Sequence, residues 1–200
     1  MLTRIYERNP SERELRKVVE ALERDGIVVY PTDSLYAFGC SIRSPRAIER
    51  LRRLREKETG HFSLVFDGIA RVAEYCRVDN RTFRILKRNL PGPFTFVLEA
   101  SSRIPDKALG KRRTICVRIP DNAVAQSIVG MLGCPLVSAS VPVEEDETEY
   151  ASDPELLDER YGRDAALVVD GGPGGLVPTT VVDLSGDEPE ILREGKGVLQ

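Results

Sequence analysis

Gly26-Ile27-Val28-Val29-Tyr30-Pro31-Thr32-Asp33-Ser34-Leu35-Tyr36-Ala37-Phe38-Gly39-Cys40 is the stretch whose reading decides the fold. Residues 27–30 form a β-branched and aromatic run behind a glycine, the pattern of a buried strand. Pro31 has no N–H to give a ladder and stops regular pairing. Residues 35–38 resume the apolar run. A return this soon is antiparallel, because a parallel one needs a crossover of a dozen or more residues. Between the runs, Thr32, Asp33 and Ser34 place three short polar side chains at the strand's end. They suit either a rigid holder of polar groups beside a ligand or a local turn bonded only to its own backbone.

Upstream, Ser11 and Glu14 make a capping-box pattern, and Leu15, Val18, Val19 and Leu22 recur at helical spacing, which predicts a helix over 11–25. Downstream, Ser44-Pro45 opens a second helix, with serine as cap and proline in the first turn. Arg46, Arg50 and Arg53 stud one face, and the run ends Arg55-Glu56-Lys57. Cations are favoured at a helix C-terminus, and arginine-rich faces are commonly just solvated, so these residues alone do not mark a site. Strands are predicted over 62–66, 94–98, 114–119, 135–140, 166–169, 179–184 and 189–193. Helices are predicted over 78–88, with Phe83, Ile85 and Leu86 inward, and over 122–132. Arg118 interrupts an apolar strand and needs an anion or a carboxylate as partner. Ser138 and Ser140 alternate and so point to one side. The glycines of residues 170–175 lack the lysine and hydroxyl of a phosphate loop.

Strands alternating with helices, joined to the close antiparallel pair, predict a single domain over residues 1–200. Its expected fold is α/β, a mixed twisted open sheet with flanking helices. Its polar strand tips (Thr32, Ser34, Arg118, Ser138, Ser140, Thr180) are expected to converge on a cleft.

Composition narrows the chemistry. The chain has 200 residues, 41% apolar and 30% charged, ordinary for a soluble protein. No run approaches the roughly 18 apolar residues needed to cross a membrane, and the charged start is unlike a secretory signal, so a cytoplasmic protein is expected. Cys40, Cys76, Cys116 and Cys134 form no Cys-x-x-Cys pair, and His61 is the sole histidine, which argues against a zinc centre. The net charge of −3 conceals segregation. Segments 43–57 and 103–118 are each strongly basic, while 142–160 holds nine acidic side chains and one basic. Without a histidine triad or metal cluster, hydroxyls and cations at the strand tips suit an anion-rich ligand such as a polyphosphate.

On these residues the sequence resembles the YrdC/YciO family, the threonylcarbamoyl-adenylate synthases of tRNA modification, and the YciO branch in particular. The likeness rests on Tyr30-Pro-Thr-Asp-Ser-Leu-Tyr36, Pro91-Gly-Pro-Phe-Thr95, residues 114–120, residues 135–140, Thr179-Thr-Val-Val-Asp183 and Leu192-Arg-Glu-Gly195, in that order. It implies a concave, positively charged cavity and a reaction that condenses L-threonine, bicarbonate and ATP and releases pyrophosphate. Mg2+ would arrive with the nucleotide, and structured RNA (tRNA or duplex) is a further implied partner. By resemblance Thr32, Ser34 and Tyr36 line the pocket, and Arg118, Ser138, Ser140, Thr180 and Arg193 surround nucleotide and amino acid. Arg55 and Lys57 face the phosphates.

Two positions depart from the synthase pattern. Lys-x-Arg is replaced by Arg55-Glu56-Lys57, which keeps the charge but changes the donor geometry. Ser-x-Asn is replaced by Ser140-Val141-Pro142, so an asparagine hydrogen bond to the ligand is missing. Such a bond to a charged group is worth about 1.5–3 kcal/mol. The departures favour an alternative, a non-catalytic or differently acting RNA-binding module of the same fold.

Overall fold

A computed structural model describes residues 1–55 and 61–200. In chain order its elements begin with strand β1 (Leu2–Arg4), helix α1 (Glu12–Glu23), the antiparallel pair β2 (Val28–Tyr30) and β3 (Ala37–Ser41), α2 (Pro45–Leu54) and β4 (Ser63–Val65). Helices α3 (Ile69–Tyr75) and α4 (Asn80–Asn89) follow, then β5 (Phe94–Glu99), α5 (Asp106–Leu109), β6 (Thr114–Arg118), α6 (Ala123–Leu132) and β7 (Leu136–Ser140). The chain closes with α7 (Glu149–Ser152), α8 (Pro154–Tyr161), β8 (Leu167–Asp170), β9 (Thr180–Asp183) and β10 (Glu190–Arg193).

The ten strands of the described residues join one sheet in the order β1-β8-β2-β3-β7-β4-β6-β5-β9-β10. Both parallel and antiparallel pairs occur in it, so the mixed α/β fold expected from the sequence is the fold observed. The short loop after Tyr30 returns antiparallel, as the spacing requires: Val28 pairs with Gly39 and Tyr30 with Ala37. Gly39 is needed there because a Cβ would stand 2.8 Å from the ring of Tyr30, which lies across it.

The sheet has two unlike faces. Leu64, Val117, Phe96 and Val182 lie side by side in register and are fully buried. Their strand neighbours Ser63, Cys116 and Thr95 alternate to the opposite face, which is polar. Helix α1 buries Leu15, Val18, Val19 and Leu22 and packs against α6, which buries Val124, Ile128 and Val129.

Ser44 caps α2 through its side chain as expected, and Asp79 and Asn122 do the same for α4 and α6. Ser11 does not: it precedes α1 but makes no side-chain cap bond. Phe83, expected inward, is 44% exposed, and Thr82 and Leu86 occupy the buried stripe of α4 instead. β1, α3 and α5 are too short to show a period. No helix among the described residues is long and apolar enough to cross a membrane.

Candidate active site

A cavity of about 1010 Å³ opens over the polar face of β4, β6, β5 and β9. Its floor carries Ser63, Thr95, Cys116, Arg118 and Val181, and its walls come from Arg53 and Arg55 at the end of α2, residues 139–144 at and beyond the end of β7, and Arg193 of β10. The cleft therefore lies along one face of the strands. Of the polar tips expected to converge on it, Arg118 and Ser140, the last residues of β6 and β7, line it, and period-two alternation adds mid-strand side chains such as Cys116 and Val181.

Arg118 is held from two sides on the cavity floor. Its guanidinium donates to Asp33 Oδ1 and to Ser34 Oγ, both at 3.0 Å. The Arg118 side chain is 5% exposed and that of Asp33 8%. Asp33 Oδ2 also accepts from the Asp121 N–H at 2.9 Å, and the Lys196 ammonium donates to the Asp33 carbonyl. Arg118 Nε is buried with no hydrogen-bond partner among the described residues.

The two readings of the Thr32–Ser34 tip divide between its residues. Thr32 Oγ1 donates to the Leu35 carbonyl at 2.6 Å and accepts from the Ser34 N–H, as in a self-bonded turn. Asp33 and Ser34 reach outward and grip Arg118. Of this loop only Leu35 is among the described lining residues, so Thr32, Ser34 and Tyr36 do not line the pocket as expected. Tyr36 is fully buried; its hydroxyl donates to the Gly172 carbonyl at 2.7 Å and accepts from the Gly171 N–H. Burial holds its phenol well above the usual tyrosine range, so it acts as a neutral pin for the glycine loop.

Ser138 and Ser140 share a side, but only Ser140 reaches the cavity. Ser138 donates to the Phe38 carbonyl at 2.9 Å and shares a 2.7 Å hydrogen bond with the Tyr30 hydroxyl. Burial pushes the Tyr30 phenol up to about 12.

Thr180 is a correction of parity. It lies two residues from the core residue Val182 and shares its buried face, donates to the Gly197 carbonyl and accepts from the Gly195 N–H. Its neighbour Thr179 faces the cavity, shares a 2.7 Å hydrogen bond with Thr95 Oγ1 and accepts from Arg193 at its carbonyl, 2.9 Å away. Gly195 seats this C-terminal segment: a Cβ would fall 2.4 Å from the Pro178 carbonyl oxygen, so any side chain must displace the strand that carries Arg193.

Thr95, Thr179 and Asp33 were thus missed as individual site residues. For the threonines the available signal was which residues alternate with core positions. Asp33 lay within the quoted stretch, but nothing local names its partner 85 residues away. Lys57 lies outside the described residues.

Four arginines and one glutamate, Glu144, line the cavity among the described residues. Glu144 is held by Arg160, 3.1 Å away on α8. The acidic segment therefore reaches the same cavity as the basic helix end.

Residues 20–195 match the Sua5/YciO/YrdC family model, described as "Telomere recombination". The chain belongs to this family. It is 41% identical to the uncharacterized protein YciO of Escherichia coli, over 96% of this chain and 94% of that one. The crystal structure of E. coli YciO superposes with a TM-score of 0.92 at 39% identity, covering 99% of this chain and 97% of the other. A threonylcarbamoyl-AMP synthase of Mus musculus is 32% identical over 90% of this chain and 65% of its own length. Sua5 of P. abyssi, crystallised with L-threonine, shares the fold (TM-score 0.85, 21% identity, 98% of this chain and 57% of that chain). The Sua5/YciO/YrdC match covers the quoted strand pair, the cavity floor and Arg193.

Proposed function

We propose that the chain is a threonylcarbamoyl-adenylate synthase-like protein of tRNA modification, condensing L-threonine, bicarbonate and ATP with release of pyrophosphate. The observation that carries this reading is Arg118, almost fully buried on the cavity floor with Nε unsatisfied among the described residues. A buried guanidinium with a spare donor calls for an anionic ligand atom. Relatives named threonylcarbamoyl-AMP synthase supply the choice of reaction.

In that reaction the threonine amine and bicarbonate give a carbamate and water. A carbamate oxygen then attacks the α-phosphorus as the bond to the leaving pyrophosphate breaks. The chain's part is positioning and charge stabilisation. Arg118 and Arg193 hold anionic groups, while Ser140, Thr95 and Thr179 offer hydroxyls. Arg55 and Lys57 are assigned to the phosphates. Mg2+ would arrive with ATP and neutralise phosphate charge there; Glu144, the sole carboxylate among the described lining residues, is already paired with Arg160, so the nucleotide's phosphates would hold the ion. Incubating pure protein with ATP, bicarbonate and labelled threonine is expected to give pyrophosphate and a threonine-containing adenylate. Turnover no higher than that of Arg118→Met would overturn the reading.

RNA binding is the second reading, favoured by the meeting of two basic segments. Arg52 of α2 donates to the Lys107 carbonyl of α5, and Lys107 pairs with Glu49 at 3.1 Å. The arginines of α4 do not join them: Arg81 reaches the β9–β10 turn, where it pairs with Glu188. Duplex RNA or tRNA bound at phosphates should dissociate steeply as salt rises, through counterion release. Filter binding across a salt series checks this, and a flat response would remove RNA from the account.

A further inference from the structure

A second cleft of about 650 Å³ adjoins the main cavity and shares His61 and Cys116 with it as a common wall. Its basic lining is Arg52, Lys111 and Arg112, with Thr114 beside them. The Arg52 guanidinium is fixed by its bond to the Lys107 carbonyl and lies 5.0 Å from the centre of the Phe62 ring. Among the described residues, none of the three cations forms an ion pair with a carboxylate. The opposing acid is Asp183, whose Oδ1 already accepts from the Ser185 N–H at 2.8 Å and from its hydroxyl at 2.6 Å.

We propose that this cleft is a phosphate-binding subsite, formed by Arg52, Lys111 and Arg112, that opens into the main cavity. Three cations without a carboxylate partner among the described residues, facing one carboxylate, favour a ligand group of charge −2 or more over a monocarboxylate. The shared wall adds no competing charge: burial and nearby Arg112 lower the pKa of His61, and burial raises that of the Cys116 thiol, so both are neutral at pH 7. Phosphate could come from two sources, a free anion such as pyrophosphate or the tail of a nucleotide seated in the main cavity. The inference extends the nucleotide reading, but pyrophosphate binding is measured without nucleotide, so either can fail alone.

Calorimetry with pyrophosphate, ATP and AMP on the wild type and on Lys111→Ala/Arg112→Ala tests it. Both side chains are exposed, and Lys111→Arg/Arg112→Lys provides a charge-conserving control. The alanine pair is expected to weaken pyrophosphate binding about ten-fold or more, with the control near wild type. If ATP weakens in parallel while AMP does not, the nucleotide tail occupies the subsite; if ATP is unchanged, a free anion does. Unchanged affinity for both pyrophosphate and ATP would overturn the proposal, as would equal weakening of AMP. Loss of duplex RNA binding with pyrophosphate binding intact would also overturn it.

Discussion

Asp33→Ala is expected to destabilise the protein by about 3–5 kcal/mol, because it strands a buried guanidinium. Arg118 and Asp33 are 5% and 8% exposed, so water cannot take over the carboxylate's role. The Asp121 N–H loses its acceptor in the same step. Urea unfolding should show a lower midpoint at an unchanged slope. Asp33→Ala/Arg118→Met removes both charges and should recover part of the loss, since the damage is the unpaired charge more than the lost attraction. A single-variant loss below about 1 kcal/mol, or a double variant no more stable than Asp33→Ala, would show that the pair is not buried as described.

The sheet was legible because its signals are local. A β-branched run, a proline stop and an immediate apolar return leave little besides an antiparallel pair. The side-chain caps of α2 and α4 were equally local. The site was legible only in part, because the same hydroxyl serves a ligand or a backbone according to a half-turn of strand. Thr179 and Thr180 are adjacent and identical, yet one faces the cavity and the other closes on Gly197. Ser138 and Ser140 share a face, but Tyr30 reaches over Gly39 and occupies the first. The sequence motifs marked such residues together, since those that build the cavity and those that fill it lie side by side.

Pro142→Asn is expected to raise the rate of adenylate formation by roughly ten- to a hundred-fold, the equivalent of one hydrogen bond to a charged group. Pro142 lines the main cavity beside Ser140, so a side chain there faces the ligand space. Its neighbour Val141 is 1% exposed and anchored by its N–H to the Tyr36 carbonyl at 2.9 Å, which keeps position 142 in place when the residue changes. Proline offers that space no polar side-chain atom and no backbone donor. Asparagine adds an amide that both donates and accepts. A bond made more strongly in the transition state raises kcat, whereas one made equally in the ground state lowers KM alone, so both constants are needed. Pro142→Ala separates the new amide from the removal of the ring and should leave the rate near that of the wild type. If Pro142→Asn gains no more than Pro142→Ala, the slot after Ser140 does not face the reacting groups, and the alignment of Pro142 with the synthase asparagine carries no catalytic meaning.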